Sequence, residues 1–175
     1  MGLNDTRYDH PVDAIRELAR VAGAYAIGRD IHVGDTIIGT KGRVAFEAAA
    51  PLMIIKAHHA LEKHTLTRWQ LNLKDQMSLW YGQLLHEGQF AEPAMRSIEA
   101  FFADTQTPVS GVVHVECAPY RFSVSGVESP NDMMRSEFGS YGEMNTLYTG
   151  DDVRGYSRIV SNQSRIYNAV NGDDV

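Results

Sequence analysis

The chain has 175 residues, of which 43% are hydrophobic, and this length and content are typical of one globular domain with a hydrophobic core. Its formal net charge of −6 argues against nucleic-acid binding as the main function, and its single cysteine, Cys117, excludes an internal disulfide framework and favours the cytoplasm. The sequence has neither an apolar segment of membrane-spanning length nor a signal-peptide pattern, so we expect no membrane partner.

The chain opens with an amphipathic helix, which a glycine-rich, charged stretch follows. The helix is predicted to begin at Pro11, because a first helical turn tolerates proline, and to end at Gly23. The charged stretch, residues 28–51, contains four glycines, three cations and three carboxylates. We expect residues 28–42 to form a loop with short extended pieces. The charged side chains are Arg29, Asp30, Asp35, Lys41, Arg43 and Glu47.

The composition of this stretch is compatible with two interpretations. Glycines allow a backbone to approach a ligand closely, and mixed charges can hold a zwitterion. The alternative is a solvated, salt-bridged loop that binds nothing. Composition by itself does not distinguish a binding loop from a solvated one.

Three more helices are predicted before the first strand. One begins near Pro51, one runs from Thr67 to His86, and one begins at Pro93. The Thr67–His86 helix carries the most regular apolar stripe in the chain, which we expect to lie in the core. The stripe comprises Trp69, Leu73, Met77, Trp80 and Leu84. The buried side of the preceding helix is expected at Ile54, Ala57 and Leu61.

The apolar pattern then changes to a period of two. Alternation over residues 113–117 and 120–124 predicts two adjacent strands joined by a tight turn at Ala118-Pro119. Residues 129–149 show no period and are expected to be irregular. This order of elements favours an α+β fold, with a mixed or antiparallel sheet packed against long helices.

A last helix is predicted from Asp151 to Val170. The carboxylates of Asp151 and Asp152 suit its positive N-terminal end. Its apolar stripe either docks on the core of the chain or contacts a partner subunit. We therefore divide the chain into residues 1–150 and residues 151–175. The stripe comprises Val153, Tyr156, Val160, Tyr167 and Val170.

The motifs of the chain contain no complete catalytic set. Gly39 and Lys41 lack the spacing and the following hydroxyl residue of a phosphate-binding loop. His58 and Glu62 stand four apart on a predicted helix, as helix-borne metal ligands do, although such a pair is more often a surface hydrogen bond. Together with His64 they leave a metal-dependent hydrolase as one hypothesis.

Several stretches resemble the C-terminal half of argininosuccinate synthases, the ligases that join citrulline and aspartate with ATP. The charged stretch is similar to the family pattern Gly-Arg-x-x-x-x-Glu-Asn-Arg-x-x-Gly-x-Lys-x-Arg-x-x-Tyr-Glu. Its matching residues are Gly28, Arg29, Gly39, Lys41, Arg43 and Glu47. Further matches are Ala57-His58, Leu61-Glu62, Thr65-Leu66, Tyr81, Leu84, Gly88, Gly126, Glu128-Ser129-Pro130, Asp152 and Gly155.

The resemblance implies a synthetase domain, residues 1–150, that works as part of a larger enzyme of arginine biosynthesis. In the family, ATP and Mg²⁺ bind an N-terminal ATP-pyrophosphatase domain, whose Ser-Gly-Gly-x-Asp-Ser/Thr loop this sequence lacks. We therefore predict no catalytic residue, cofactor site or metal site in the chain, and no ATP turnover by it alone. The family is homotetrameric with a C-terminal helix used in oligomerisation. The alternative is a stand-alone, non-catalytic binding or oligomerisation module of the same fold.

Two positions depart from the family pattern. The family's citrulline-contacting Glu and Tyr correspond to Gly34 and Phe46. A lost charge-assisted contact is worth ~1.5–3 kcal/mol, so either Asp35 replaces it or the substrate lacks a free ammonium. The second case predicts an N-acylated citrulline, such as N-succinylcitrulline, in place of citrulline. The residues predicted to bind substrate or its extra carboxylate are Arg29, His32, Gly34, Asp35, Lys41, Arg43, Phe46 and Glu47.

Overall fold

A computed structural model of the chain describes residues 2–4, 6–139 and 141–172. Within these residues the chain forms five α-helices and three separate two-stranded antiparallel ladders, β1–β2, β3–β4 and β5–β6. The helices are α1 Pro11–Ala24, α2 Ala49–Thr65, α3 Arg68–His86, α4 Pro93–Thr105 and α5 Gly150–Asn171. The strands are β1 Gly2–Leu3, β2 Thr6–Arg7, β3 Arg29–Asp35, β4 Lys41–Glu47, β5 Val112–Ala118 and β6 Arg121–Glu128. The predicted α+β class is confirmed, and every ladder is antiparallel.

The chain divides into two compact units, residues 1–133 and residues 134–175. The first contains α1 to α4 and the three ladders. The second contains two short 3₁₀ helices, Ser136–Phe138 and Gly142–Met144, followed by α5. The last part of the predicted C-terminal segment, residues 173–175, lies outside the described residues. A helix long and apolar enough to cross a bilayer does not occur in the part of the chain that the structure describes.

The core of the first unit lies between α1, α2 and the β5–β6 ladder. Helix α1 begins as predicted at Pro11, where the His10 side chain accepts a hydrogen bond from the Val12 amide. It continues through Gly23 to Ala24, one residue beyond the predicted stop. The buried core residues are Leu18, Ala22, Ile27, Ala49, Ala50 and Met53.

Of the three apolar residues predicted on the buried side of α2, the structure buries only Leu61. Helix α2 starts at Ala49, before Pro51, and Met53 and Leu61 are its large buried apolar residues. The predicted Ile54 and Ala57 are half-buried beside them. Helix α4 begins at Pro93 as predicted and buries Met95 and Ile98.

Helix α3 has the predicted length, but its apolar stripe does not lie in the core. Thr67 caps the helix, since its hydroxyl accepts from the Gln70 amide while the Gln70 side chain accepts from the Thr67 amide. Trp69 and Trp80 remain 70% and 65% exposed, and Leu73 is exposed as well. The prediction that this stripe is core is therefore wrong.

Polar contacts explain which face of α3 turns inward. Lys74 Nζ lies 2.5 Å from a carboxylate oxygen of buried Glu62, and the Tyr81 hydroxyl donates to Glu99 at 3.0 Å. A buried carboxylate without a cation costs several kcal/mol, so the Glu62–Lys74 pair determines the rotation of the helix more strongly than exposed tryptophans do. Met77 and Leu84 of the predicted stripe are half-buried on this inner side.

The two strands predicted after α4 are present as β5 and β6. They pair from Val112 opposite Glu128 to Ala118 opposite Arg121, with one irregularity between His114 and Val115. Residues 129–139 and 141–149 are irregular apart from the two 3₁₀ turns, as predicted.

Residues 28–42, predicted as a loop, belong instead to a regular hairpin of β3 and β4. Ile31 and Val33 lie in β3, whereas Ile37 and Ile38 lie exposed in the turn. The turn is closed at Thr36, whose amide donates to the Thr40 carbonyl at 2.9 Å. The sequence does not reveal this hairpin, because charged residues occur on both faces of its strands. They obscure the alternation of apolar and polar residues that predicts a strand.

Candidate functional site

The β3–β4 hairpin carries all the residues predicted to bind substrate, but it divides them between two faces. Opposite residues of an antiparallel ladder share a face, and the faces alternate along each strand. One face, here the charged face, carries the pairs Arg29–Glu47, Ile31–Ala45, Val33–Arg43 and Asp35–Lys41. The other, here the glycine face, carries the pairs Asp30–Phe46, His32–Val44 and Gly34–Gly42.

The charged face is largely neutralised by its own ion pairs. Arg29 Nε lies 3.2 Å from Glu47 Oε1, and Lys41 Nζ lies 2.5 Å from Asp35 Oδ1. Both pairs are exposed, so each contributes at most about 1 kcal/mol. Arg43 differs, because no carboxylate of the described residues lies within 4.0 Å of its guanidinium. Asp35, which was expected to replace the missing family carboxylate, faces away from Gly34 and is already paired with Lys41.

On the glycine face, His32 occupies the space beside Gly34. A Cβ built on Gly34 would lie 2.7 Å from His32 Nε2. Any side chain at position 34 therefore requires the imidazole to move. The absence of the family's glutamate at this position does not leave an empty space but admits a histidine ring.

Arg29, Phe46 and Glu47 meet at an open groove of about 580 Å³ at the base of the hairpin. We name it the first groove. Gly34, His32, Asp35, Lys41 and Arg43 do not line it, because they lie nearer the turn. The lining residues are Arg29, Asp30, Ile31, Ala45, Phe46 and Glu47.

A second groove of about 320 Å³ lies where the base of the hairpin approaches α2 and the β5–β6 turn. It shares Arg29 and Asp30 with the first groove. Tyr120 fixes the β5–β6 turn here, since its amide donates to the Tyr25 carbonyl at 2.7 Å. The lining residues are Ile27, Gly28, Arg29, Asp30, Leu52, Tyr120, Arg121 and Phe122.

Gly28 sets the position of the hairpin base against α2. Its φ of +79° is in the left-handed region, and a Cβ there would lie 2.7 Å from Ala48 C and Ala49 N. The Ala48 amide donates to the Gly28 carbonyl at 2.9 Å. Both the conformation and the close backbone approach require glycine.

Glu62 is the centre of a buried polar network outside the grooves. The residue is 1% exposed, and its carboxylate accepts from Lys74 at 2.5 Å and from the Gln106 side chain at 2.8 Å. His58 Nε2 lies 3.4 Å from the same carboxylate, and His59 Nδ1 lies 3.3 Å from it. Burial raises the pKa of Glu62, but the hydrogen bonds from Lys74 and Gln106 and the Lys74 charge outweigh it and lower the pKa below its ordinary value.

This network separates the residues of the hypothetical hydrolase site. His58 and Glu62 do contact each other, but His64 Nδ1 lies 3.1 Å from Asp132 Oδ1 instead. Among the residues that the structure describes, no three His, Cys, Asp or Glu side chains gather as a metal site. Cys117 is half-buried in β5, where burial raises the pKa of its thiol, so it lacks the thiolate character of a nucleophile.

Comparison with known proteins decides what kind of domain carries these grooves. The family model described as "Arginosuccinate synthase C-terminal domain" matches residues 1–167. The chain belongs to this family. The family's pattern in the charged stretch thus corresponds to the β3–β4 hairpin.

Individual relatives agree with the family match. The argininosuccinate synthase of Dictyoglomus thermophilum is 33% identical over 172 residues, which are 98% of this chain and 43% of that protein. That of Methanopyrus kandleri is 37% identical over 77% of this chain and 34% of its own length. That of Xanthomonas campestris is 30% identical over 90% of this chain and 39% of its own length. The family domain described here thus spans about two fifths of the length of the curated relatives it matches.

Sequence reasoning missed two charged residues that line the grooves of this family domain, Asp30 and Arg121. Asp30 lies within the charged stretch, but nothing in its pattern distinguishes it from the other carboxylates. Arg121 is far from the hairpin in sequence, and only the fold brings it to the second groove. The one local signal is its place two residues after the predicted strand–strand turn.

Proposed function

We propose that this chain is the synthetase domain of an argininosuccinate synthase, a ligase that condenses a citrulline substrate with aspartate in arginine biosynthesis. The observation that supports this is the family match over residues 1–167. ATP with Mg²⁺, held by an ATP-pyrophosphatase domain, supplies the adenylyl group that activates the ureido oxygen and leaves as AMP. The present chain contributes the hairpin, where Phe46 of the first groove lies on the same face as Gly34 and His32 and receives the citrulline moiety.

We further propose that the substrate is an N-acylated citrulline, such as N-succinylcitrulline. Gly34 replaces a family carboxylate, so the ammonium of plain citrulline loses that partner at this position. The group beside Gly34 is instead His32, which as a hydrogen-bond donor suits the extra carboxylate of an acyl group. Lys41 and Arg43, the other candidates for that role, lie on the opposite face.

The substrate proposal is tested with the complete enzyme, meaning the chain together with an ATP-pyrophosphatase domain in the same polypeptide or supplied separately. We expect a higher kcat/KM for N-succinylcitrulline than for citrulline. His32→Leu, which removes the hydrogen-bond donor, is expected to lower the value for the acylated substrate by about ten-fold or more, the loss of one charge-assisted contact, without lowering that for citrulline. A coupled assay of AMP formation measures kcat/KM for both substrates with the unmodified enzyme and with the variant.

Matched controls separate the possible results. Arg43→Gln removes a charge from the opposite face and is expected to leave the ratio of the two substrates unchanged. The chain alone is the blank and is expected to form no AMP; AMP formation by it would contradict its proposed dependence on another domain. A clear preference for citrulline would refute the acylated substrate but not the ligase, whereas no AMP with either substrate would favour the non-catalytic module.

We also propose that α5 assembles the protein into a homo-oligomer, as a tetramer. The stripe of Val153, Tyr156, Val160 and Tyr167 is exposed along the whole helix. We expect Val160→Lys to shift sedimentation of the chain toward the monomer. Asn162→Lys places the same charge on the opposite side of α5 and is expected to change nothing. Monomeric sedimentation of the unmodified chain would contradict the proposal.

A further inference from the structure

The second groove contains a cation and an anion that do not neutralise each other. No carboxylate of the described residues, Asp30 included, lies within 4.0 Å of the Arg121 guanidinium. Asp30 accepts a hydrogen bond from the Ile31 amide at 2.7 Å but has no cationic partner within the described residues. Arg29, the other cation of the groove, is already paired with Glu47. The groove thus presents one free positive and one free negative group.

This charge arrangement selects among classes of ligand. A simple anion bound at Arg121 is repelled by the carboxylate of Asp30 in the same groove. A simple cation bound at Asp30 is repelled by the guanidinium of Arg121. A zwitterion satisfies both groups, with its carboxylate at Arg121 and its ammonium at Asp30. In an α-amino acid the two charged groups are attached to one carbon, which suits two partners on the walls of a small groove.

Three apolar side chains also line the groove. These are Ile27, which is buried, Leu52 and Phe122. Small-molecule sites typically combine such a surface with a few placed polar groups. An apolar amino-acid side chain therefore matches the part of the groove that the two charges leave uncovered.

The backbone around the groove is held in an unfavourable conformation. Tyr120 and Ala26 have φ values of +63° and +58°, which residues other than glycine seldom adopt. The hydrogen bond from the Tyr120 amide to the Tyr25 carbonyl ties these two turns together. Strain of this kind persists where surrounding structure enforces it, and it concentrates at ligand sites.

From these observations we propose that the second groove binds a free α-amino acid with an apolar side chain. The site shares Arg29 and Asp30 with the first groove. The inference does not depend on the ligase function, because it rests on the groove alone.

The test uses the 175-residue chain and L-leucine as the probe, followed by amide chemical shifts in NMR. We expect shifts at residues 27–30 and 120–122. N-acetyl-L-leucine, which lacks the ammonium, and L-leucinamide, which lacks the carboxylate, are both expected to bind about ten-fold more weakly or worse. Arg121→Gln and Asp30→Asn are expected to weaken L-leucine binding to a similar extent.

Arg165→Gln, which removes a cation from α5 in the other unit, is the matched control and is expected to leave binding unchanged. Circular dichroism of each variant verifies folding, and the analogue series on the unmodified chain needs no variant. Absence of shifts at millimolar L-leucine would overturn the proposal. Three further results would overturn it as well. They are binding of N-acetyl-L-leucine as tight as that of L-leucine, weakening by Arg165→Gln as large as that by Arg121→Gln, and shifts confined to residues 45–47.

Discussion

Replacing Glu62 with alanine is expected to lower the free energy of unfolding by about 3–5 kcal/mol, the usual cost of removing one partner of a buried ion pair. The carboxylate is almost completely buried, and its partner Lys74 is only 17% exposed at the side chain. In Glu62→Ala the ammonium of Lys74 and the Gln106 amide, which donates to Glu62 at 2.8 Å, both lose their acceptor. Urea denaturation of the chain measures the loss.

Two controls show that the cost comes from the unpaired charge. The double replacement Glu62→Leu with Lys74→Met removes both charges and is expected to be more stable than Glu62→Ala. Glu17→Ala breaks a solvent-screened pair with Arg20 and is expected to cost far less than Glu62→Ala. A loss of similar size in Glu62→Ala and Glu17→Ala would contradict the role assigned to Glu62.

The same carboxylate makes stability depend on acid pH in a defined direction. Burial raises the pKa of Glu62, but its bonds to Lys74 and Gln106 outweigh that, so the pKa in the folded chain is lowered. The unfolded chain, with an ordinary glutamate value of about 4.3, then binds the proton more readily. The contribution of Glu62 is present above that value and is lost as the pH falls through the folded value. The stability difference between the unmodified chain and Glu62→Gln should shrink over that acid range.

The Glu62 network also shows why the sequence predicts the helices but not all of their buried faces. In α4 the buried apolar residues, Met95 and Ile98, follow helical spacing, whereas in α1 two residues of the apolar spacing, Val12 and Ile15, remain exposed. In α3 the inward face is set by Lys74, whose partner lies 12 residues away in another helix. Periodicity analysis of the sequence gives a tryptophan-rich stripe more weight than a single lysine. In the folded chain the free energy of pairing a buried charge is the larger effect, so the face that carries Lys74 turns inward.

The candidate site shows a similar division between what composition reveals and what register decides. The glycines and charges of residues 28–51 marked the right segment, and the family pattern aligned its residues. Which of them share a face depends on pairing register, and a shift of one residue would exchange the faces. Gly34 opposite Gly42 thus places His32, rather than Lys41, at the position where the family pattern is broken. Arg121 entered the second groove only through tertiary contact.

Gly28→Ala is expected to lower the free energy of unfolding by about 2–4 kcal/mol, because strain and a backbone clash act together. The residue has a φ of +79°, and the new Cβ would lie 2.7 Å from Ala48 C and from Ala49 N. Those atoms begin α2, so they cannot move without displacing a core helix. We also expect the amide resonance of Ala48, which donates to the Gly28 carbonyl, to shift in NMR.

Gly82 provides the matched control for this replacement. It lies inside α3, and a Cβ there would meet nothing within 4 Å. Gly82→Ala is therefore expected to stabilise the chain by about 0.5–1 kcal/mol, the ordinary helix preference of alanine. The two replacements add the same methyl group, so opposite signs in urea denaturation would trace the loss at position 28 to its backbone. Equal effects would refute the view that Gly28 holds the hairpin, and with it both grooves, against α2.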